Sequence, residues 1–351
     1  MGHLDRYIAK IVSLSILLVL SAVVGLDVIF TLIDELQNLH GDYSVFSALT
    51  YVALTIPRRL YEFTSLSVLI GCLIGLGTLA NNSELTVMRA VGMSLTRISW
   101  AAIKPALLFV CVMLVMGEFV IPHTESYAQS QRALAKSGGQ ALTTQGHWHR
   151  EGDTYMHITA VLPGGVLYGV TQYEFDGHQL QESRFAKRAI FQGDHWILQN
   201  VQVSAIGADQ VVVGEHNTLR WDTELTPQVL NVMVIEPEAL SILGLQTYTD
   251  YLEDQGLNAK KYLLAFWKKL LQPLAIIVMV LVALSCIFGP LRSVTMGYRV
   301  FSGVVLGLLF KYTEDFLGPA CIVFGFDPIY ASLAPIGLFA IVAAVLLKRA
   351  A

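Results

Sequence analysis

Four lysines, Lys260, Lys261, Lys268 and Lys269, lead into a long apolar run, and Arg132 and Lys136 follow another. Cations at the edge of an apolar segment either snorkel to water or collect anionic headgroups. Lys311 is different, because Glu314 and Asp315 follow at the helical spacing of a local ion pair. A carboxylate, Glu84, lies near the start of a short amphipathic stretch, "NNSELTVMRAVGMS" (Asn81–Ser94), set between two apolar runs. None of these sets is catalytic. The sequence has no GxxxxGK[ST] loop, no GxSxG elbow and no HExxH, and the pair His147 and His149 has no third ligand at recognisable spacing. Any work this chain performs draws its energy from elsewhere.

The elements that must position these residues are membrane helices. The chain has 351 residues, 54% hydrophobic and only 14% charged, with a mean hydropathy of +0.56. Soluble domains carry about 25% charged residues. A net charge of -4 argues against nucleic acid. Cys72, Cys111, Cys286 and Cys321 lie in or beside apolar runs, without CxxC spacing, so neither a disulfide framework nor a thiolate metal site is expected. Apolar runs long enough to cross a bilayer fall at roughly 8–33, 51–79, 98–121, 263–288, 297–317 and 329–347. The first is read as a retained span rather than a cleaved signal. Arg6, Lys10, Arg89, Arg97, Lys104, Arg292, Arg299, Lys348 and Arg349 collect on one side, which places both termini and the Asn81–Ser94 stretch in the cytoplasm.

The expected organisation is therefore α+β. Three spans (1–122) precede an external all-β insert (123–259), and three more spans follow (260–351). The insert alternates aromatic and β-branched runs with turns at Pro163-Gly164-Gly165, Asp176-Gly177 and Gly193-Asp194. A sandwich, a jelly roll and a one-sided sheet all fit this spacing. The strands are expected to continue through "QVVVGEHNTLRW" and "PQVLNVMVI".

Within 81–95 a short helix is expected, capped by Asn81 with Glu84 reaching back. Its apolar stripe comprises Leu85, Met88 and Val91, with Arg89 beside it. Such a helix either docks into a soluble partner or lies flat among headgroups. Ser21 and Gly25, Gly71 and Gly75, and Gly303 and Gly307 have the small-xxx-small spacing that lets helices approach closely, within one chain or between two.

"LDRYIAK", "NNSELTVMRAVGMS", "GEFVIPHTE", "EALSILGL" and above all "FGPLRSVTMGYR" resemble the lipopolysaccharide export permeases, the LptF/LptG family, in order along essentially the whole chain. "GPLRSVTMG" is more similar to the LptG branch than to LptF. The resemblance implies an inner-membrane ABC transporter permease without an ATPase site of its own and without a cofactor. It would pair with LptF, above two copies of the ATPase LptB, with LptC associated. Lipopolysaccharide would be drawn from the outer leaflet and passed to a periplasmic bridge of β-jelly-roll proteins that includes LptA.

The same resemblance implies that the insert is a periplasmic jelly roll and that 81–95 is a coupling helix seated in a groove of LptB, with Glu84 at the family's acidic contact. It also implies that the first helix of each permease faces the fifth of the other at lateral gates, which gives Ser21, Gly25, Gly303 and Gly307 a packing role. For an acylated, phosphorylated cargo, Phe63, Phe310 and Phe316 become candidates to touch acyl chains. Some family members carry lysines at the outer end of the first helix, where this sequence has Thr31, Gln37 and Asn38. Phosphate attraction is then expected from elsewhere, from LptF, or to be weaker. Two alternatives are a non-transporting scaffold that recruits periplasmic partners and a permease for another lipid or a lipoprotein.

Overall fold

A backbone surrounded by lipid has to satisfy its own hydrogen bonds, so the long apolar runs fold as helices. The computed structural model describes residues 3–39, 43–137, 147–162, 165–177, 179–207, 210–223, 225–227, 229–230, 236–254, 258–288 and 294–350. In chain order the helices are α1 (His3–Gln37), α2 (Val45–Asn81), the short α3 (Glu84–Ala90) and α4 (Leu95–Val115). A π-helical turn (Met116–Val120) joins α4 to α5 (Ile121–Ser137). After six strands come α6 (Ile242–Asp254), α7 (Lys260–Phe288), α8 (Met296–Phe324) and α9 (Pro328–Ala350).

Among the described residues five helical stretches are long and apolar enough to cross a membrane: His3–Gln37, Val45–Asn81, Thr96–Lys136, Lys260–Phe288 and Pro328–Lys348. The sixth expected span corresponds to α8. It has the length, but Arg299, Lys311, Glu314 and Asp315 interrupt its apolar run.

The chain forms two compact units. One comprises 1–29, 56–120 and 241–351, the other 30–55 and 121–240. In the first, α2 is the hub. A Cβ on its Gly71 would lie 2.6 Å from the Cα of Ile16, and one on Gly75 would lie 3.2 Å from the Cα of Val12, so α1 rests directly on the backbone of α2. From α8, Gly303 receives Leu73 and Gly307 receives Leu66, both side chains of α2. Ile276, Met279, Val280, Ala283 and Leu284 of α7 complete this buried core.

In the second unit, β1 (His147–Glu151), β2 (Thr154–Leu162), β3 (Val166–Asp176), β4 (Gln179–Phe191), β5 (Trp196–Ile206) and β6 (Val211–Trp221) form one antiparallel sheet. Every strand pairs with its neighbour in sequence, so the described strands are an up-and-down meander without crossovers. Gly177 and Gly193 take positive φ between β3 and β4 and between β4 and β5, as those two expected turns require. Pro163 and Gly164 lie outside the described residues. One face of the sheet buries Met156, Ile158, Leu167, Val170, Ala186, Leu198 and Val201 around Trp196, whose indole donates to the Leu225 carbonyl at 2.7 Å. The strand expected over 227–235 does not form where it is described, because Pro227, Val229 and Leu230 are helical and Leu230 packs into the same core. Residues 231–235 lie outside the described residues.

Candidate functional site

α3 follows α2 after two residues and is one seven-residue helix. Its N-cap is Ser83, in the left-handed region at φ 62°, with no side-chain cap bond. The expected cap residue, Asn81, belongs instead to the end of α2, where its side-chain oxygen accepts from Arg299 at 2.9 Å. Glu84 is half-buried and accepts from the Asn82 amide at 3.3 Å.

The expected stripe does not face outward as a unit. Leu85 and Met88 are buried in the helical core, whereas Val91 is 78% exposed. The reason is length. α3 ends at Ala90, Val91 is its C-cap, and Gly92 turns away at φ +94°, so the third position leaves the helical face set by the first two. The large exposed apolar residues here are Val87, at 60%, and Val91. Sequence periodicity missed Val87, although it lies opposite the buried pair. Arg89 is exposed, with its guanidinium 5.9 Å from the centre of the Phe288 ring. It borders a cleft of about 240 Å³ with Ala80, Leu85, Thr86 and Ile287.

The basic residues do not act as one cluster. Lys269 is only 4% exposed; its ammonium donates to the Gly117 carbonyl in the π-helical turn at 3.0 Å and lies 5.4 Å from the Tyr61 ring. A π turn misaligns the regular ladder of carbonyls, which explains how a mid-helix carbonyl can accept a lysine. Next to it, the Glu118 carboxylate accepts the Ile242 and Leu243 amides at 2.8 and 3.4 Å, which caps α6 from a distance. Lys268 stands 4.0 Å from Asp315, and Lys311 pairs with the same carboxylate at 3.8 Å, one helical turn away as its spacing suggests. Lys260 is half-buried and Lys261 exposed. Of the four lysines expected to snorkel or collect headgroups, one is thus buried and a second stands beside a carboxylate.

In the second unit, Arg132 and Lys136 both turn to the buried Glu35. Arg132 forms an ion pair with it, Lys136 stands 3.5 Å away, and Tyr43 donates to it at 2.9 Å. Burial, and then this hydrogen bond, raise the Tyr43 hydroxyl above the ordinary phenol value, so it remains a donor. Arg132 also lies over the Tyr51 ring at 4.8 Å and Lys136 over the Tyr43 ring at 5.0 Å. No local spacing in the sequence links Glu35 to Arg132, so this cluster is not legible from periodicity.

Phe63 and Phe310 come together on a narrow cleft of about 70 Å³, with Leu66, Met279, Lys311 and Glu314. Phe310 is buried edge-on against Phe339 at 5.2 Å, whereas Phe316 is 72% exposed and apart from the cleft. Gly303 and Gly307 are already occupied by α2 of the same chain, which corrects the expectation that they face a second permease. Ser21 and Gly25 are exposed, and a Cβ on Gly25 would meet nothing within 4 Å. Among the described residues no group of three or more His, Cys, Asp or Glu could hold a metal ion.

The family model described as lipopolysaccharide export system permease LptF/LptG matches residues 6–349. The chain belongs to this family. It is 38% identical to the lipopolysaccharide export system permease protein LptG of Escherichia coli strain K12, over 99% of this chain and 98% of that protein. It is 36% identical to LptG of Haemophilus influenzae, again over 99% of this chain and 98% of that protein. The α+β arrangement, membrane helices interrupted by an antiparallel sheet, is thus that of an LptF/LptG permease along its full length. Of the stretches that carried the resemblance, "FGPLRSVTMGYR" falls partly on 289–293, outside the described residues, and its last residue is the Arg299 that reaches Asn81.

Proposed function

We propose that the chain is the LptG-type permease subunit of a lipopolysaccharide exporter in a Gram-negative inner membrane. It pairs with LptF, is driven by an LptB dimer, works beside LptC, and delivers its cargo toward an LptA bridge. The observation that carries this is the family match over residues 6–349, together with the two LptG relatives aligned end to end. In this reading both termini and α3 are cytoplasmic and the sheet is periplasmic. The exposed β6 edge, with Val211, Val212 and Val213, supports strand-on-strand addition to a neighbouring sheet.

The chain hydrolyses no ATP itself, so force enters through α3. Leu85 and Met88 anchor α3 to the permease, and Glu84, Val87 and Val91 face the engine. Reconstituting this chain with LptF and LptB in lipopolysaccharide-loaded vesicles tests the reading, with ATP-dependent release of lipopolysaccharide to a soluble LptA acceptor as the readout. A scaffold would leave LptB unstimulated and the cargo in place, and release of a lipoprotein instead would make it a different permease. Glu84→Gln keeps an oxygen for Asn82 but removes the charge. Losing a charged contact at a desolvated interface costs about 2–5 kcal/mol, so stimulation of LptB should fall sharply. Wild-type stimulation and wild-type LptB co-purification in this variant would remove Glu84 from the contact.

A further inference from the structure

Arg299 counts in the sequence as one more cytoplasmic charge, yet it is 0% exposed. From the first turn of α8 its Nη1 donates to the Gly77 carbonyl at 2.8 Å and to the Asn81 side chain at 2.9 Å. Both acceptors lie in the last turn of α2, where carbonyls run out of helical partners and the helix dipole favours a cation. Gly77 leaves room for the approach, because a Cβ there would press on Cδ and Nη1 of Arg299 at 3.1 Å each. Three residues after Asn81, α3 begins. A desolvated guanidinium is a strong, directional tie, and lysine cannot reproduce its fork.

We propose that Arg299 is a positioning residue that yokes α8 to the α2–α3 junction, so that displacement of α3 reaches α8 through bonded groups rather than through side-chain packing alone. This rests on the reading that α3 receives the force of the ATPase. α2 and α8 also meet through Leu73 and Leu66 seated on Gly303 and Gly307, apolar contacts that resist separation more than sliding. The Arg299 tie supplies that resistance at the end where motion enters.

The test uses the complex of this chain with LptF and LptB in lipopolysaccharide-containing nanodiscs. In Arg299→Gln, ATP hydrolysis should persist while lipopolysaccharide released per ATP falls about tenfold, the scale of one lost hydrogen bond to a charged group. Arg299→Lys should recover only part of it. Gly77→Ala, which displaces the guanidinium without removing it, should give a smaller loss. Its combination with Arg299→Gln should be no worse than Arg299→Gln alone, because the two changes break one tie. If Arg299→Gln does not assemble, Gly77→Ala carries the test.

Spin labels at the exposed Ala90 and Tyr298, in a cysteine-free background, read the yoke itself. Their separation should keep one narrow distribution through the nucleotide cycle and should broaden in Arg299→Gln or Gly77→Ala. Unchanged release per ATP, or an unchanged label distribution in these variants, would overturn the proposal. Failure of the underlying reading looks different: the unaltered complex would release no lipopolysaccharide, while the label distribution would still respond to Arg299.

Discussion

The two units are held together by opposite means. In the helical unit the tightest approaches are made by missing side chains, with Gly71 and Gly75 under α1 and Gly303 and Gly307 under leucines of α2. In the sheet unit the centre is a large side chain, Trp196, fully buried between Phe191 and Trp221 at ring separations of 5.1 and 6.1 Å. The difference reflects the solvent each unit is built for. Lipid tails are as apolar as leucine and give helices no reason to bury it, so close backbone approach supplies the dispersion contact. Water rewards each buried aromatic area directly, and a large indole with its single N–H satisfied is an efficient way to use it.

Substitutions that exchange these strategies test the contrast. The largest effect is expected for Trp196→Ala, which should cost the sheet unit about 3–5 kcal/mol, the usual range for emptying a buried aromatic site. Loss of protease resistance in the sheet, followed by limited proteolysis of the purified chain, measures it. A resistant variant would mean that the meander does not depend on its indole. Next comes Gly71→Ala. One added methyl meets the backbone of Ile16 and should cost about 1–3 kcal/mol of overpacking, read as a lower melting temperature in detergent. Gly25→Ala is the control, since nothing lies within 4 Å, and it should stay within about 0.5 kcal/mol of the parent. If both glycines tolerate alanine equally, close approach is not what holds α1 on α2.

The smallest effect concerns pH. Burial lowers His157 below the ordinary imidazole value, and it also lowers His149. A histidine held neutral by the fold binds its proton more readily in the unfolded chain. Its contribution is therefore fully present above the unfolded pKa of about 6.5 and is lost as pH falls through the folded value. The sheet unit should become easier to proteolyse below that pH, and His157→Gln should flatten the trend. An equally steep trend in that variant would assign it to other groups.

What was legible in the sequence follows the range of the interaction that decides it. Five of the six expected spans, the strand runs up to Trp221, the turns at Gly177 and Gly193 and the Lys311–Asp315 pair all rest on neighbours within a few residues, and these are present. The inward face of α3 was legible as a stripe, but not which side it would turn to, because that depends on the core formed by distant helices. Arg299 and Glu35 read as ordinary charges at helix ends. Their burial depends on Gly77 and Asn81 in one case and on Arg132, Lys136 and Tyr43 in the other, pairings no local period encodes. The four lysines looked alike for the same reason, and only the π-helical turn singles out Lys269.

That turn has a further consequence, through Glu118. The chain leaves the helical unit at Val120 and re-enters it at Ser241, and the Glu118 carboxylate holds the amides of Ile242 and Leu243. The intervening segment is thus a loop fastened at its neck. Once a loop is fastened, added length costs little entropy, about 0.6 kcal/mol for each doubling. Across descendants of this chain, strands could be gained, lost or exchanged between the two crossing points while the spans keep their register. A single carboxylate thereby makes the segment between the two crossing points an interchangeable part, free to diverge at a pace the membrane helices cannot follow.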